Sequence, residues 1–295
     1  MPEDGATDVP PTNRFRIDSK VIRKLFRNRL SIAGGIIVLG VIFVAIFAPW
    51  LAPYPEDAGP VVHFDRALQP PSAQHWFGTD DVGRDIFSRS LFGTRLALLY
   101  AAVVLGIALA VGIPLGLIAG YWNRTWISTL ILRVVDVFLS VPPLALALAV
   151  TVAFEPSLTT AMVAISFTWW PWFARLIYGE TLRVRSIPFI EATRALGQGA
   201  WMIQFRHILP NIVSPIVVKA TLDVSFVILL GASLSFLGVG AQEPVPDWGA
   251  MVARGRIYLP AEWWVSTMPG LAIFITVVGF NFLGDALRDA LDVWD

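Results

Sequence analysis

Residues 30–51 read LSIAGGIIVLGVIFVAIFAPWL. No charged side chain interrupts the run, and its length matches the ~20 residues that carry a helix across a hydrocarbon core. The run closes on Pro49, Pro53 and Pro55, which discourage further helix. A helix apolar on every side has to be surrounded by protein or by lipid. Immediately before it stand Arg14, Arg16, Lys20, Arg23, Lys24, Arg27 and Arg29. A basic run could serve a nucleic acid, but beside an apolar span it orients the helix and meets lipid headgroups.

The rest of the chain repeats the pattern. Of 295 residues, 56% are hydrophobic and 15% charged, with zero formal net charge and a mean hydropathy of +0.65. Soluble domains carry about 25% charged residues, so too few remain here to cover a water-facing surface. The reading is an all-α polytopic membrane protein with about six transmembrane helices. They are expected near 30–51, 96–120, 130–154, 159–178, 212–239 and 263–283. Pro142-Pro143 interrupts the third, and the fourth carries the interfacial cluster Trp169-Trp170-Pro171-Trp172. Residues 1–13 read as a disordered tail, 15–29 as an amphipathic interfacial helix, and 285–295 as a short polar tail. The late, long first apolar block with no small-residue cleavage site does not read as a cleavable signal peptide.

The basic residues also orient the chain. With the N-terminus in the cytoplasm, the 179–211 loop, with Arg183, Arg185, Arg194 and Arg206, also falls inside. The 52–95 segment, bearing Asp80, Asp81 and Asp85, then lies outside with the Glu243 loop, and both termini lie inside.

That cytoplasmic loop contains Ser186-Ile187-Pro188-Phe189-Ile190-Glu191-Ala192-Thr193-Arg194-Ala195-Leu196-Gly197. Pro188 suits a first helical turn, Glu191 faces the positive helix end, and Gly197 suits a left-handed stop. A short helix is predicted, with Phe189, Ile190, Ala192, Ala195 and Leu196 on its apolar side. A second helical stretch over 198–207 leads to Leu209-Pro210-Asn211. These signals alone describe a connector or interfacial helix.

Glu191-Ala192-Thr193, Gly197 and Leu209-Pro210 resemble the EAA loop in permease subunits of bacterial ATP-binding-cassette importers. Thr193 stands where that family has alanine and His207 where it often has isoleucine. Trp76-Phe77-Gly78-Thr79-Asp80, Gly83-Arg84-Asp85 and Ser88-Arg89 resemble the dipeptide/oligopeptide permease family, C-type member of the permease pair. So do Pro246-Asp247-Trp248-Gly249 and Asn281-Phe282-Leu283-Gly284-Asp285-Ala286-Leu287-Arg288-Asp289. The resemblance implies a type I importer fold in a bacterial inner membrane. Phe189, Ile190, Glu191, Ala192, Thr193, Arg194, Ala195, Leu196 and Gly197 would then form the ATPase coupling helix. It also implies a heterodimer with a homologous permease chain, two ATP-binding cassette subunits at the loop, and an extracytoplasmic substrate-binding protein above. Peptides are the implied substrate; nickel or another small solute is the alternative within the family.

Other features admit plain structural readings. Gly112, Gly116 and Gly120 mark a small-residue groove for helix packing. Thr79, Asp80, Asp81 and Gly83 read as a turn, whose Arg84 and Asp85 pair with neighbours or with a docking protein. Arg133 with Asp136, and Lys219 with Asp223, have the spacing of neutralised intramembrane pairs. No phosphate-binding loop, nucleophile elbow, clustered metal ligands or cysteine occurs, so neither cofactor, metal nor catalysis is expected. Outside the family, the rivals are an ion-coupled secondary transporter, though no inverted repeat is visible, and a membrane scaffold.

Overall fold

A computed structural model describes Lys24 and residues 28–291. The expected tail at 1–13, nearly all of the expected interfacial helix and residues 292–295 lie outside the described residues. Within them the chain is helical, with no strand and one isolated bridge between Thr79 and Asp85.

Helix α1 (Arg29–Leu51) starts at Asn28, whose side chain accepts from the Leu30 amide at 3.0 Å. It buries Gly34, Val38, Val41, Ala45 and Ala48 on one stripe and turns Ile36, Leu39, Phe43, Ile46 and Trp50 outward. Helix α2 (Ile86–Tyr121) has 36 residues, ten more at its start than its apolar stretch predicts. Asp85 caps it by accepting from the Ser88 amide at 2.7 Å, so its polar first turns belong to the helix as well.

The third expected span is two helices, α3 (Trp126–Leu139) and α4 (Pro143–Ala153), bent by 87°. Pro142 and Pro143 account for the break, because each disfavours helical backbone in the residue before it. Helix α5 (Leu158–Arg185) is 28 residues long, starting at the Ser157 cap. Among the described residues four helices, α1, α2, α9 (Val213–Phe236) and α11 (Trp264–Ala290), are long and apolar enough to cross a membrane, and the bent pair is a fifth candidate.

Helix α5 packs closely along α2. Gly112 faces Trp170 and Phe173, Gly116 faces Ala174 and Ile177, and Gly120 faces Tyr178 and Thr181. Both helices advance together along this groove, so they run parallel. The bent pair between them therefore carries the chain back from the end of α2 to the start of α5. A Cβ at Gly116 would stand 2.7 Å from the Ala174 carbonyl oxygen, so the glycine is what permits the approach.

Between α5 and α9 lie α6 (Pro188–Ala195), α7 (Ala200–Met202), a π-helical turn (Ile203–Ile208) and α8 (Leu209–Asn211). A short helix, α10 (Trp248–Gly255), precedes α11. The latter reaches Ala290, so most of the expected polar tail continues the last helix. Helix α11 packs antiparallel on α1, where Gly34 meets Phe282 and Gly279 meets Ile37, and on α9, where the Ser225 hydroxyl donates to the Val277 carbonyl at 3.0 Å. The main core lies among α2, α5 and α9, with Val104, Leu117, Ile165, Phe173 and Ile177 buried.

Candidate functional site

The 186–211 loop stands at the bundle end where α2 finishes and α5 leaves. Helix α6 begins with Pro188 in its first turn, Glu191 completes that turn, and Arg194 lies in the last. It ends in a Schellman arrangement: the Gly197 amide donates to Arg194 O at 3.0 Å and the Gln198 amide to Thr193 O at 3.4 Å. Gly197 has φ +79°, which a residue without a Cβ adopts freely.

The structure splits the expected apolar side in two. Ile190, 2% exposed, and Thr193 point inward; Phe189, Glu191, Ala192, Arg194, Ala195 and Leu196 lie on the solvent side. The division arises because Ile190 packs into the buried group that contains Ile203, Ile208 and Ile212. Thr193 answers its own burial by donating from Oγ1 to Phe189 O at 2.7 Å. Leu196, 84% exposed, is left without packing.

Further contacts fix the helix to the bundle. The Arg194 guanidinium lies 5.3 Å from the centre of the Tyr121 ring, a cation–π distance. Arg185 donates from Nη1 to Tyr121 O at 2.7 Å and to Gly120 O at 3.3 Å, serving the orphan carbonyls at the end of α2. The Phe189 ring meets His207 edge-on at 5.5 Å, and His207 Nε2 is 3.0 Å from Gln198 Oε1. These last partners escaped sequence reasoning, because the return of 198–207 beneath α6 is a tertiary event. The second helical stretch is also not plainly α-helical. Pro210 cannot donate to Arg206 O and its ring crowds that carbonyl, and the chain widens into the π turn just before it. Beside α6 the stretch exposes Trp201, Met202 and Phe205, extending the apolar outer surface.

At the opposite end of α2, residues 52–89 and 240–258 form a polar cap. Asp80 builds the expected turn, accepting from the Val82 and Arg84 amides at 3.0 and 2.9 Å, with Gly83 at φ +80°. The side chains of Arg84 and Asp85 are buried and committed within the chain. Arg84 Nε donates to Asp80 at 2.8 Å, and Asp85 pairs with His75 at 2.9 Å. Of the two readings for this pair, neighbours or a docking protein, these bonds are made with neighbours within the chain. Burial alone would raise the Glu243 carboxyl, but the hydrogen bond from Arg84 and the charges of Arg89, Arg84 and Arg254 hold it below its usual range. At the foot of α10, burial raises the Asp247 carboxyl despite the amides of Ala250 and Gly249 that it accepts.

The two intramembrane pairs part ways. Lys219 donates to Asp223 at 3.0 Å, and Trp169 Nε1 reaches the same carboxylate at 2.8 Å. Asp136 instead pairs with Arg175 of α5. A partner three residues away on the same helix yields here to one presented by the neighbouring helix.

Residues 112–293 match the family described as binding-protein-dependent transport system inner membrane component. Residues 19–71 match the N-terminal transmembrane domain of oligopeptide transport permease C. The chain belongs to this permease family. The permease is 40% identical over 293 residues, 99% of its length and 97% of the relative's, to the probable D,D-dipeptide transport system permease protein DdpC of Escherichia coli. It is 43% identical over 291 residues, 99% of its length and 92% of the relative's, to the dipeptide transport system permease protein DppC of Alkalihalophilus pseudofirmus. It is also 43% identical over 270 residues, 92% and 89% of the two chains, to the glutathione transport system permease protein GsiD of Pectobacterium atrosepticum. Its fold is similar to that of a chain in the inward-facing MetNI methionine ABC transporter. There the TM-score is 0.56 at 21% identity, over 70% of the permease and 96% of that chain. The permease is thus a membrane-embedded transport subunit of an ABC importer, a system that works with ATPase and substrate-binding components.

Proposed function

We propose that the permease carries di- or oligopeptides inward, and that ATP-binding cassette subunits drive it through α6. The observation that carries this reading is the two-sidedness of that helix. Its inner face is tied to the bundle by Ile190 and Thr193 and its edge by the Arg194 guanidinium against Tyr121, while Phe189, Ala192, Ala195 and Leu196 remain uncovered. Trp201, Met202 and Phe205 enlarge the uncovered patch, and exposed apolar surface rimmed by charge suits a protein partner. Relatives named for dipeptide and glutathione transport support a peptide substrate.

In this reading a homologous permease chain completes the path and two cassette subunits sit at the two coupling helices. A substrate-binding protein delivers peptide at the polar cap. The end of α5, the 186–211 loop and both termini face the cytoplasm of a bacterium, and the polar cap faces outward, as Arg183, Arg185, Arg194 and Arg206 favour. ATP is bound and hydrolysed only on the cassette subunits. Their closure moves α6 and shifts the bundle between two access states, a two-state equilibrium biased by a ligand bound elsewhere.

The test is reconstitution of the permease with its partner chain, cassette subunits and binding protein in liposomes. The expected result is ATP-dependent uptake of a labelled dipeptide that stops when the cassette subunits are left out. Uptake by this chain alone, driven by an ion gradient, would sink the proposal. Uptake of nickel but not peptide would overturn the substrate assignment.

A further inference from the structure

The polar cap contains an arginine site larger than its own turn requires. Arg84 Nη1 donates to Glu243 Oε2 at 2.6 Å, and Arg254 Nη1 lies 3.0 Å from Glu243 Oε1. Arg89 Nη2 approaches the same carboxylate at 3.5 Å, beyond good hydrogen-bonding distance. The Arg89 side chain is 1% exposed, yet its Nε and Nη2 have no hydrogen-bond partner, and neither has Nη2 of Arg84. A small cavity bordered by Asp80, Arg84, Arg89, Glu243 and Arg254 lies where these donors meet, backed by Ile86 and Met251.

Partners and exposure single out Glu243 among the acids. Asp80 is held by two backbone amides as well as Arg84. Glu243 has only arginines, and its side chain is 42% exposed at the edge of the cluster. With Asp80, Asp81 and Glu243 in place, the three arginines are neutralised. Without Glu243 one buried positive charge is left over, facing unmatched N–H groups. Such a charge requires an anion, and the planar guanidinium fork favours a carboxylate.

We propose that Arg84, Arg89 and Arg254 form a binding site for the carboxylate of a small solute, which Glu243 occupies as a tethered, displaceable stand-in. On the reading of the permease as a peptide importer, the source is the C-terminal carboxylate of the arriving peptide. Exchange of one carboxylate for the other keeps the buried charge constant, so the site opens only to a solute of the right charge. When the solute moves on, Glu243 closes the site behind it.

The test compares the purified transporter in wild-type form and with Glu243→Gln, which removes the internal charge and keeps the shape. Acetate is titrated against chloride at equal ionic strength while the thermal midpoint is followed. The expected result is a saturable rise for E243Q at acetate concentrations at least tenfold below those needed by wild type, with no such rise in chloride. Equal responses to the two anions overturn the site. A tripeptide and its C-terminal amide are then compared on E243Q. A tenfold preference for the free acid supports the peptide source, and equal binding overturns that source while the acetate result still stands. If E243Q fails to assemble, Gln242→Cys gives a second reading, since the chain has no cysteine of its own. Acetate should then raise the rate of maleimide labelling on this chain severalfold, and an unchanged rate overturns the displacement of Glu243.

Discussion

Leu196→Ala separates the two faces of α6, the proposed coupling helix. Truncating leucine to alanine removes about three methylene equivalents, each worth ~0.8 kcal/mol when buried. Leu196 is 84% exposed in the chain, so about 2 kcal/mol of that transfer energy is still available to a partner that covers it. That corresponds to a loss of about thirtyfold in affinity for the cassette subunit. The permease itself should keep its thermal midpoint, since the side chain packs on nothing within it. Ile190→Ala should do the reverse. Ile190 is 2% exposed, its burial is complete before any partner arrives, and its truncation should cost about 2–5 kcal/mol of stability. The assay is titration of cassette subunits onto detergent-solubilised permease, with thermal unfolding of each variant alone. If L196A binds the cassette subunit as tightly as wild type, or if it melts like I190A, the assignment of the outer face is refuted.

Four further outcomes are expected. Gly116→Ile should drive a side chain into Ala174 and Ile177, which a Cβ alone would reach at 2.7 Å, and cost about 1–3 kcal/mol; an unchanged midpoint would contradict the α2–α5 packing. Gly197→Val should strain a φ of +79° by about 1–3 kcal/mol and loosen the cap of α6; ATP hydrolysis should continue while peptide uptake falls and membrane insertion is unaffected. Glu243 is held below its usual range, so its stabilisation is present above about pH 4.3 and lost as pH falls through its lowered value; the midpoint gap between wild type and E243Q should shrink there, and a gap that widens on the acid side would reverse the sign. A cysteine at Ala73 and one at Ala192, both at exposed positions, should label from opposite sides of the membrane; Asp80 is unsuitable as a probe because it is buried.

What could be read in advance was whatever depends on local sequence. The apolar runs located α1, α2, α9 and α11 because crossing lipid demands an unbroken hydrophobic surface, a constraint that neighbouring helices do not alter. Pro188, Glu191 and Gly197 located α6 because capping is decided within a few residues. The glycine stripe announced a close helix neighbour without naming α5 as that neighbour. Reading failed wherever a distant group competed. Asp136 took Arg175 over Arg133, and Ile190 left the side it was assigned to because an isoleucine-rich interior lay beneath it. For Arg84 and Asp85 pairing with neighbours was one of the two readings, but the partners Glu243 and His75 could not be named because they stand on other parts of the cap. The bend between α3 and α4 was visible as two prolines, but its 87° angle belongs to the packing of the bundle.

One helix joins the two sites. At 1.5 Å per residue, the 36 residues of α2 extend about 54 Å, from the Asp85 cap beside Arg84 and Arg89 to Tyr121 beneath Arg194. The glycine contacts with α5 lie in its final third, nearest α6, so there the two helices form one closely packed body. At its other end α2 is held by Trp248, whose indole donates to Ser90 O at 3.0 Å, and by Arg89, which donates to Asp57 O at 3.0 Å. Under the proposed function, a push on α6 would therefore travel along a packed helix pair and reach the polar cap as displacement of the α2 N-terminus. Arg84 and Arg89 would move with that helix, while Glu243 belongs to the loop between α9 and α10. The distance between the arginines and their stand-in carboxylate is thus the quantity such a movement changes most directly. Glu243→Gln should accordingly alter how tightly ATP hydrolysis follows solute arrival, whereas Leu196→Ala should weaken cassette docking and leave the carboxylate response at the cap intact.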